Sequence, residues 1–255
     1  MFGFNKNSSI ATCPICGGEK FKEYNSRPNA ICVSCRSLER TRFQFLVLKY
    51  LGLPKSGGSV LHVAPEKALY DFFSKSDAHK YHPCDIDPEN KRYATLGLMH
   101  KIDLCSDLYQ IPDASFDLIV HNHVLEHIPC AVEPILKEHV RILKPEGYFV
   151  FSVPFREAES TDECLDMNLA LEERIRRFGQ ADHMRIFGKC DFIQLLHSIF
   201  GEHCQKFDPQ MLGTKNELEQ YGIPYEQVLG ISGSTVFVYK KPSVNLFKQW
   251  FSLGK

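Results

Sequence analysis

The sequence lacks several features that would assign it to a specialised class of protein. No stretch approaches the roughly 18 consecutive apolar residues that a membrane-spanning helix needs. The first residues, MFGFNKNSSIATC, lack the apolar core of a secretory signal peptide. Internal repeats and low-complexity tracts are also absent. We therefore expect a globular, cytoplasmic protein whose 255 residues form one substantial core and a small accessory module.

A large charge of one sign is also missing. The net charge is −1, which argues against non-specific binding to nucleic acid. The charge is unevenly distributed, however, because residues 1–50 hold eight Lys or Arg against three Asp or Glu. The N-terminal fifth of the chain is therefore basic and the remainder is acidic.

Cysteine, by contrast, is abundant, with ten residues. Four of them form two C-x2-C pairs, CPIC and CVSC, which are separated by fifteen residues. This spacing predicts a zinc ribbon, in which four thiolates surround a structural Zn2+ and leave no open position for catalysis. The ligands would be Cys13, Cys16, Cys32 and Cys35. In a reducing compartment we expect the other six to be core or surface thiols. They are Cys84, Cys105, Cys130, Cys164, Cys190 and Cys204.

After residue 57 short apolar runs alternate with helical patterns. Strands are predicted over 59–64, 80–87, 100–104, 115–122 and 147–154. Helices are predicted over 37–52, 67–75, 129–144 and 190–200, the third of them ended by Pro145 and Gly147. A late strand over 234–241 is expected at an antiparallel edge. Alternating strands and helices indicate an α/β fold with a parallel sheet covered on both faces.

Polar residues fall where three of these strands end. Ligands of such sheets bind outside the carboxyl ends of the strands. The segment HVAPEKAL follows the first strand, Asp85 ends the second, and Asp103 lies in KIDL. A carboxylate in the position of Asp85 can accept both hydrogen bonds from a ribose diol.

The segment HNHVLEHIP, which directly follows FDLIV in the strand over 115–122, concentrates three histidines and one glutamate. If residues 123–127 form a helical turn, His123, Glu126 and His127 share one face. Two imidazoles and a carboxylate are suitable ligands for a divalent metal ion.

The order of SVLHVAPE, CDIDPE, SFDLIVHNHVLEHI and LKPEGYFVFSVP resembles class I S-adenosylmethionine-dependent methyltransferases, in particular their type 11-like branch. The resemblance covers roughly residues 58–155 and is looser up to residue 240. It implies a Rossmann-like, seven-stranded α/β sheet with helices on both faces, preceded by the small zinc ribbon. The expected division is a ribbon (1–36), a connecting helix and linker (37–57), the methyltransferase domain (58–242) and an amphipathic tail (243–255).

The resemblance also implies which residues bind S-adenosylmethionine. Asp85 would hold the ribose hydroxyls, and Ile86 would pack on the adenine. Asp103 would accept a hydrogen bond from the adenine amino group, and Leu104 would donate its backbone amide. His121 would line the cofactor at the end of the fourth strand.

The first loop departs from the family, because it contains none of the expected glycines. The corresponding positions are His62, Ala64, Pro65 and Glu66. Glycine permits positive φ and close approach of the backbone to a ligand, which alanine and proline restrict. We therefore expect a loop that follows a different path, with Glu66 meeting the ammonium group of the cofactor.

A subset of the resembling enzymes binds a metal through an E-x-x-E-H motif and a later histidine. Here the motif reads H-x-x-E-H, and FGQADHMRIFG supplies His183. The expected catalytic and metal-binding residues are thus His123, Glu126, His127 and His183, around an ion that activates a substrate hydroxyl. Metal-free acid–base catalysis by a histidine and a purely structural role are the alternatives. In the same stretch Arg185 is either a partner for a substrate anion or a solvated arginine.

Three functions remain open from the sequence. The first is O-methylation of a glycan or small-molecule hydroxyl, since FGQADHMRIFG resembles methyltransferases that accompany surface-polysaccharide synthesis. The second is an RNA methyltransferase, with phosphate contacts from the basic N-terminal region. The third is a non-catalytic zinc-ribbon adaptor. The basic residues are Lys20, Lys22, Arg27, Arg36, Arg40 and Arg42. The tail, SVNLFKQWFSLGK, is expected to dock on its own domain, on a partner or on a membrane surface.

Overall fold

The computed structural model describes residues 11–76 and 80–243. The helices are α1 (Glu39–Tyr50), α2 (Lys67–Ser74), α3 (Val132–Ile142), α4 (Leu171–Phe178), α5 (Lys189–Phe200), α6 (Lys215–Gln220) and α7 (Tyr225–Leu229). The strands are β1 (Phe21–Tyr24), β2 (Arg27–Cys32), β3 (Ser59–Val63), β4 (Lys80–Asp85), β5 (His100–Lys101), β6 (Phe116–Asn122), β7 (Leu143–Ser152), β8 (Asp162–Glu163), β9 (Arg185–Ile186), β10 (Cys204–Lys206) and β11 (Phe237–Lys240).

Seven strands form one sheet in the order β10-β11-β7-β6-β3-β4-β5. Strands β3, β4, β5, β6 and β7 run parallel to one another, whereas β11 is antiparallel to both of its neighbours. Chain order reverses between β3 and β6, so the crevice at their carboxyl ends is the point where such sheets bind ligands. The expectation of a seven-stranded α/β sheet is confirmed.

The late strand differs in place from the prediction. Strand β11 is antiparallel, as expected, but it is the second strand of the sheet and not its edge. The edge is β10, whose three residues, CQK, carry no apolar alternation that would reveal a strand.

Helices cover both faces of the sheet because the central strands are apolar on both sides, as is usual for parallel sheets. One hydrophobic cluster joins the sheet to α3 and α5, with Leu136 and Phe192 among its buried members. The other joins it to α1 and α2, with Phe43 and Phe73. Helix α1, expected as a connecting element, therefore belongs to the core beneath the sheet.

The junction between α3 and β7 is shorter than predicted. Helix α3 ends at Ile142 and β7 begins at the next residue. Pro145 and Gly147 thus lie inside the first half of β7, where they were expected to separate a helix from a strand. Residues before Tyr148 mostly extend beyond the strand pairing with β6, which leaves room for the proline.

The N-terminal module is a β1–β2 hairpin flanked by the two cysteine pairs. The four sulfur atoms converge within 4.8 Å of one another. The Sγ atoms of Cys13 and Cys35 lie 3.6 Å apart, as do those of Cys16 and Cys32. A tetrahedral site with Zn–S bonds of about 2.3 Å places its sulfurs about 3.8 Å apart, so the cluster fits a zinc ion.

The prediction that all six remaining cysteines are thiols is wrong for two of them. Cys105 and Cys130 form a disulfide between the loop after β5 and the loop before α3. Sequence spacing could not reveal this pairing, because β6 lies between the two loops and only the folded sheet brings them together. The other four are free.

Residues 155–188 form an insertion that carries β8, α4 and β9 and packs beside the carboxyl end of β6. The backbone amide of Met184 donates to the carbonyl of Glu126, which fixes the insertion against the HNHVLEHIP segment. The predicted tail falls outside the described residues except for Ser243. No helix in the described ranges is long and apolar enough to cross a membrane.

Candidate active site

A cavity of about 350 Å3 opens at the carboxyl ends of β3, β4 and β6. Five of the nine residues expected to bind the cofactor line it: Ala64, Asp85, Ile86, Asp103 and Leu104. His123 and His127 line the same cavity from the HNHVLEHIP side. The structure thus gathers residues from four separate segments around one space.

The backbone is strained at both sides of this cavity. Ala64, directly after β3, has φ of 49°, and His123, directly after β6, has φ of 52°. Left-handed conformations of this kind cost non-glycine residues about 1–2 kcal/mol each. The first loop therefore reaches positive φ at Ala64 without a glycine, a conformation that alanine was expected to restrict. Such strain is concentrated at functional sites in folded proteins.

Asp85 is buried at the end of β4, with its carboxylate fully hydrogen-bonded. The Oδ2 atom accepts from the guanidinium of Arg92 and the hydroxyl of Tyr93, both at 2.6 Å, and Oδ1 accepts from the amide of Asp87 at 2.8 Å. Arg92 is more than half exposed and also lines the cavity, so solvent or a ligand can replace it.

The loop after β5 presents Asp103 and Leu104 to the opposite side of the cavity. Its fold is fixed locally, since the amide of Cys105 donates to Oδ1 of Asp103 and the amide of Asp103 donates to Asp107. The Cys105–Cys130 disulfide then ties this loop to the segment of Ile128 and Pro129, which also lines the cavity.

His62 and His121 do not line the cavity, because their side chains point into the helix-covered faces of the sheet. Nδ1 of His62 lies 2.9 Å from the hydroxyl of Tyr81, and burial lowers the pKa of His62 to about 3. His121 packs against His139 and Phe149, and burial lowers its pKa well below the usual value. Both rings are therefore neutral core residues in this structure.

Pro65 and Glu66 lie just behind the cavity wall. Pro65 is buried, and the Glu66 carboxylate faces α1 and β6. Its Oε1 accepts from the hydroxyl of Thr41 at 3.0 Å, and its Oε2 accepts from the side-chain amide of Asn122 at 2.8 Å. Arg40 lies 3.5 Å from Oε1. Glu66 thus has partners within the chain, and none of these contacts faces the cavity.

Glu126 is the most unusual charged residue of the site. Its side chain is fully buried, and no well-formed hydrogen bond reaches its oxygens from the described part of the chain; Nδ1 of His123 lies 3.4 Å and Nε2 of His127 lies 3.9 Å from Oε1. An unpaired buried carboxylate costs several kcal/mol unless a cation compensates it. Burial raises the pKa of Glu126, but the neighbouring His123 and His127 outweigh burial and lower it below its usual value.

Two imidazoles approach this carboxylate with the same nitrogen. Nδ1 of His183 donates to the carbonyl of Phe178 at 3.0 Å, and Nδ1 of His127 donates to the carbonyl of Asp182 at 3.3 Å. Each ring consequently keeps a lone pair on Nε2, and burial lowers the pKa of His183, which keeps that ring neutral. The ligating atoms of Glu126, His127 and His183 lie within 4.8 Å of one another.

His123 completes the cluster from the other side. Its Nε2 donates to the carbonyl of Gly233 at 2.7 Å, and its Nδ1 lies 3.4 Å from Oε1 of Glu126. With Nε2 protonated, a neutral ring presents a lone pair to the carboxylate, and only a proton or another cation between them makes that contact favourable. The four residues predicted as catalytic are thus brought together, although Glu126 and His183 lie behind the cavity lining.

Two buried arginines hold this cluster in place, a role that the sequence did not reveal. Arg185 is fully buried and donates to the carbonyls of Leu125, Ile128 and Cys130, while its Nε pairs with Glu163 at 2.6 Å. Arg174 donates to the carbonyl of His183 in the same way. Arg185 is therefore an internal anchor of the HNHVLEHIP segment, and the two roles expected for it, a solvated arginine or a partner for a substrate anion, are not those found.

Comparison with known proteins places the cavity in a defined class. Residues 66–151, about a third of the chain, match the family described as "Methyltransferase domain". The matched segment runs from the loop after β3 to the end of β7, and so includes Asp85, Asp103 and the HNHVLEHIP segment. No curated protein sequence matches the chain.

Solved structures share the fold at low sequence identity. A SAM-dependent methyltransferase from Archaeoglobus fulgidus superimposes with a TM-score of 0.50 at 16% identity, covering 79% of this chain and 94% of the other. An S-adenosylmethionine-dependent methyltransferase from Mesorhizobium loti gives 0.50 at 17% identity, with 77% and 96% covered. A chain from the complex between the Haloferax volcanii Trm112 methyltransferase activator and the putative methyltransferase gives 0.51 at 16% identity, with 79% and 91% covered.

The family match and the shared sheet order together define an S-adenosylmethionine-dependent methyltransferase with the class I fold. The expectation from the sequence is confirmed in this respect. Residues that the sequence did not single out also contact the expected site residues, namely Arg92 and Tyr93 on Asp85, and Asn122 on Glu66. Their only signal was position, because each lies close to the carboxyl end of a predicted strand.

Proposed function

We propose that this protein transfers the methyl group of S-adenosylmethionine to a hydroxyl oxygen, assisted by a divalent metal ion held by Glu126, His127 and His183. The observation that carries the proposal is the fully buried Glu126 carboxylate. In the described chain its side-chain neighbours that can carry the opposite charge are imidazoles: His123 at 3.4 Å, His127 at 3.9 Å, and His183, whose ligating atom lies within 4.8 Å. Two imidazoles and one carboxylate are a familiar donor set for first-row divalent metals.

The surroundings of these ligands support a metal site further. In metal centres the second ring nitrogen of a histidine ligand usually donates to a carbonyl or a carboxylate, which fixes the ring and its tautomer. The Phe178 and Asp182 carbonyls serve His183 and His127 in this way. A bound divalent ion would lower the pKa of a hydroxyl that it contacts and orient that oxygen.

The residues of the cavity have separate tasks in this proposal. Asp85 would accept hydrogen bonds from the ribose hydroxyls once Arg92 has moved away. Asp103 and Leu104 would hold the adenine. The sulfonium of the cofactor supplies an electrophilic methyl group, so the protein has to align and desolvate the reactants. His127, which is about one-third exposed and lies between the cavity and Glu126, would meet the acceptor.

We further propose that the acceptor is a saccharide or another small hydroxyl compound. The support is the resemblance of FGQADHMRIFG to methyltransferases of polysaccharide synthesis, together with the place of this segment, which supplies His183 and the cavity residue Asp182. RNA is less well supported than the sequence suggested. Arg27 and Arg40 pair with Glu39 and Glu66, and Arg42 is fully buried, so half of the basic residues named for RNA serve the fold.

The test measures transfer of labelled methyl groups from S-adenosylmethionine into fractionated glycans, small hydroxyl compounds and RNA. We expect labelled glycan or small-molecule product with the wild-type protein. In Glu126→Gln we expect less than about 1% of that rate, whereas S-adenosylhomocysteine binding stays within about twofold. His197→Gln is the matched control, because this histidine is exposed on α5.

Chelators alone cannot decide the question, because they also remove zinc from the cysteine cluster. Zinc content is therefore measured in each variant, and Mn2+ or Co2+ is added back. A Glu126→Gln variant with wild-type activity would contradict the metal-assisted mechanism. Label found in RNA alone, with a steep dependence on salt, would contradict the proposed acceptor.

A further inference from the structure

Helix α1 carries several polar side chains that are buried, which is uncommon for a core helix. Glu39, Thr41, Arg42 and Gln44 are each at most 3% exposed. Buried polar groups need hydrogen-bond partners, and the residues that supply them show which parts of the chain α1 connects. On one side these are residues of the cysteine module, and on the other they are residues at the carboxyl ends of β3 and β6.

Arg42 fastens α1 to the cysteine module. One guanidinium nitrogen donates to the carbonyls of Ala30, at 3.0 Å, and Ser37, at 2.8 Å. Another donates to the carbonyl of Gly222, and the guanidinium lies 4.9 Å from the centre of the Phe21 ring. The fully buried cation thus donates to Ala30 within the module, to Ser37 directly after it and to Gly222 between α6 and α7, so its position depends in part on that module being folded.

Gln44 and Thr41 connect the same helix to residues beside the active site. Oε1 of Gln44 accepts from the side-chain amide of Asn122 at 2.5 Å. The hydroxyl of Thr41 donates to Oε1 of Glu66 at 3.0 Å, and Oε2 of Glu66 accepts from the same Asn122 amide. The two residues of α1 therefore converge on one amide group.

Asn122 is the last residue of β6 and directly precedes the strained His123. Its Oδ1 accepts from the hydroxyl of Ser152, so all the polar atoms of its side chain are paired. His123 in turn lines the cavity and lies 3.4 Å from Glu126. A shift of Asn122 would move both the cavity wall and the His/Glu cluster.

We propose that the zinc-loaded cysteine module is a brace for the active site, in which Thr41 and Gln44 are positioning residues. No residue of the module lines the cavity, so its effect on cofactor binding passes through α1, Glu66 and Asn122. Without zinc the module no longer fixes the position of Arg42. Helix α1 then no longer holds Asn122 in place or His123 in its strained conformation. The module thereby supports cofactor binding from a distance and needs no contact with the acceptor.

The first test compares two variants of neighbouring residues in α1. Gln44→Met keeps the length of the side chain but removes one of the two acceptors of the Asn122 amide, and we expect calorimetry to show about 10-fold weaker binding of S-adenosylhomocysteine. Phe45→Leu is the control, because Phe45 is buried against Phe72 and makes no polar contact with the site. We expect its cofactor affinity to stay at the wild-type value even where its melting temperature falls. Equal affinities in Gln44→Met and the wild type would overturn the proposal.

A spectroscopic reading separates positioning from a general loss of stability. The ring signals of His123 in 15N-histidine-labelled protein should shift in Gln44→Met and stay unchanged in Phe45→Leu, with exposed His197 as the internal reference. Unshifted His123 signals in Gln44→Met would mean that the amide contact does not position this residue.

The second test acts on the cysteine module of the full chain. Cys16→Ser removes one exposed member of the cluster, and zinc content is measured alongside S-adenosylhomocysteine binding. We expect zinc loss, a shift of the His123 signals and about 10-fold weaker binding. A folded, zinc-free protein with wild-type affinity would overturn the brace, and if this variant does not fold, Gln44→Met decides. Neither test uses an acceptor or a second metal, so failure here is distinct from failure of the metal-assisted mechanism.

Discussion

At the scale of single residues, hydrogen bonds decide what the histidines of this site can do. His127 and His183 each donate from Nδ1 to a carbonyl and keep Nε2 free, whereas His123 donates from Nε2 and turns Nδ1 toward Glu126. Three residues of one chemical type thus present different atoms to one carboxylate. The segment HNHVLEHIP specifies the residue types, but the backbone carbonyls of Phe178, Asp182 and Gly233 select the tautomers.

Asp85 should carry a large part of the cofactor affinity. Replacement of Asp85 by Ala removes a carboxylate that can accept two hydrogen bonds from a ribose, and charged hydrogen bonds contribute about 1.5–3 kcal/mol each. We expect S-adenosylhomocysteine to bind about 10- to 100-fold more weakly in calorimetry. Asp71→Ala is the control, since this half-exposed carboxylate on α2 pairs with Lys67 and does not line the cavity. Unchanged affinity in Asp85→Ala would exclude the ribose role.

Residues expected at the site line the cavity where they stand at a strand end, and lie in the core where they belong to a buried strand. Asp85, Asp103 and His123 follow strand ends, and position alone places them at the cavity. His62 and His121 lie within strands that are buried on both faces. A polar residue there could face a ligand or a helix, and only tertiary packing against Tyr81 or Phe149 decides between the two.

At the scale of elements, the insertion over residues 155–188 depends on one close backbone approach. A Cβ atom on Gly188 would lie 2.3 Å from the backbone carbon of Ser160 and 2.5 Å from the carbonyl oxygen of Glu159. Backbone atoms cannot move aside as the end of a flexible side chain can. Gly188 is therefore a packing requirement, although nothing in its sequence context marks it as one.

Gly188→Ala should consequently lower the free energy of unfolding by about 3 kcal/mol, the upper range for overpacking in a filled interior. The measurement is chemical denaturation followed by fluorescence. Gly230→Ala provides the comparison, because a Cβ there meets no atom within 4 Å. Similar stabilities of the two variants would show that the strand after residue 184 can shift.

The Cys105–Cys130 disulfide should stabilise the protein and the cavity together. It spans 25 residues, and closing a loop of that length in the unfolded chain contributes about 3 kcal/mol in the chain-entropy account. We expect the double variant Cys105→Ser, Cys130→Ser to lose about that much stability and to bind S-adenosylhomocysteine more weakly, because the Asp103 loop is released. Cys190→Ser, at an exposed free thiol, should change neither quantity.

Among the elements, those with strong apolar patterns were predicted and the short or polar ones were not. Strands β3 and β6 and helix α2 have nearly the predicted bounds, because their apolar residues have one periodicity and end at turn residues. Helix α4, LEERIRRF, is too charged to stand out, and β10 has only three residues. Both depend on contacts with distant parts of the chain.

At the scale of the whole molecule, the interior contains histidines that must stay neutral. Burial lowers the pKa of His62 to about 3 and that of His139 to about 4. In the unfolded chain both would titrate near pH 6.5. Below that pH the unfolded state binds more protons than the folded state, so stability present above pH 6.5 is lost as the pH falls.

The free energy of unfolding should therefore decrease by on the order of 2 kcal/mol per histidine between pH 8 and pH 5. Denaturation curves across this range measure the decrease. In His139→Leu the decrease in the free energy of unfolding should be smaller by about 2 kcal/mol, the contribution of one histidine. His197→Gln, at the surface, should show the same pH dependence as the wild type. A pH-independent stability in the wild type would mean that protons reach these rings in the folded state.

The two edge strands of the central sheet are short, which limits self-association through the sheet. Within the described ranges β5 has two residues and β10 has three, so each border exposes only a few unpaired amide and carbonyl groups. A strand from a second copy could form only a few backbone hydrogen bonds with either edge strand. Polymerisation through the edges of the sheet is therefore disfavoured. The longest strands, β6 and β7, lie inside the sheet, where both of their edges are paired with neighbouring strands.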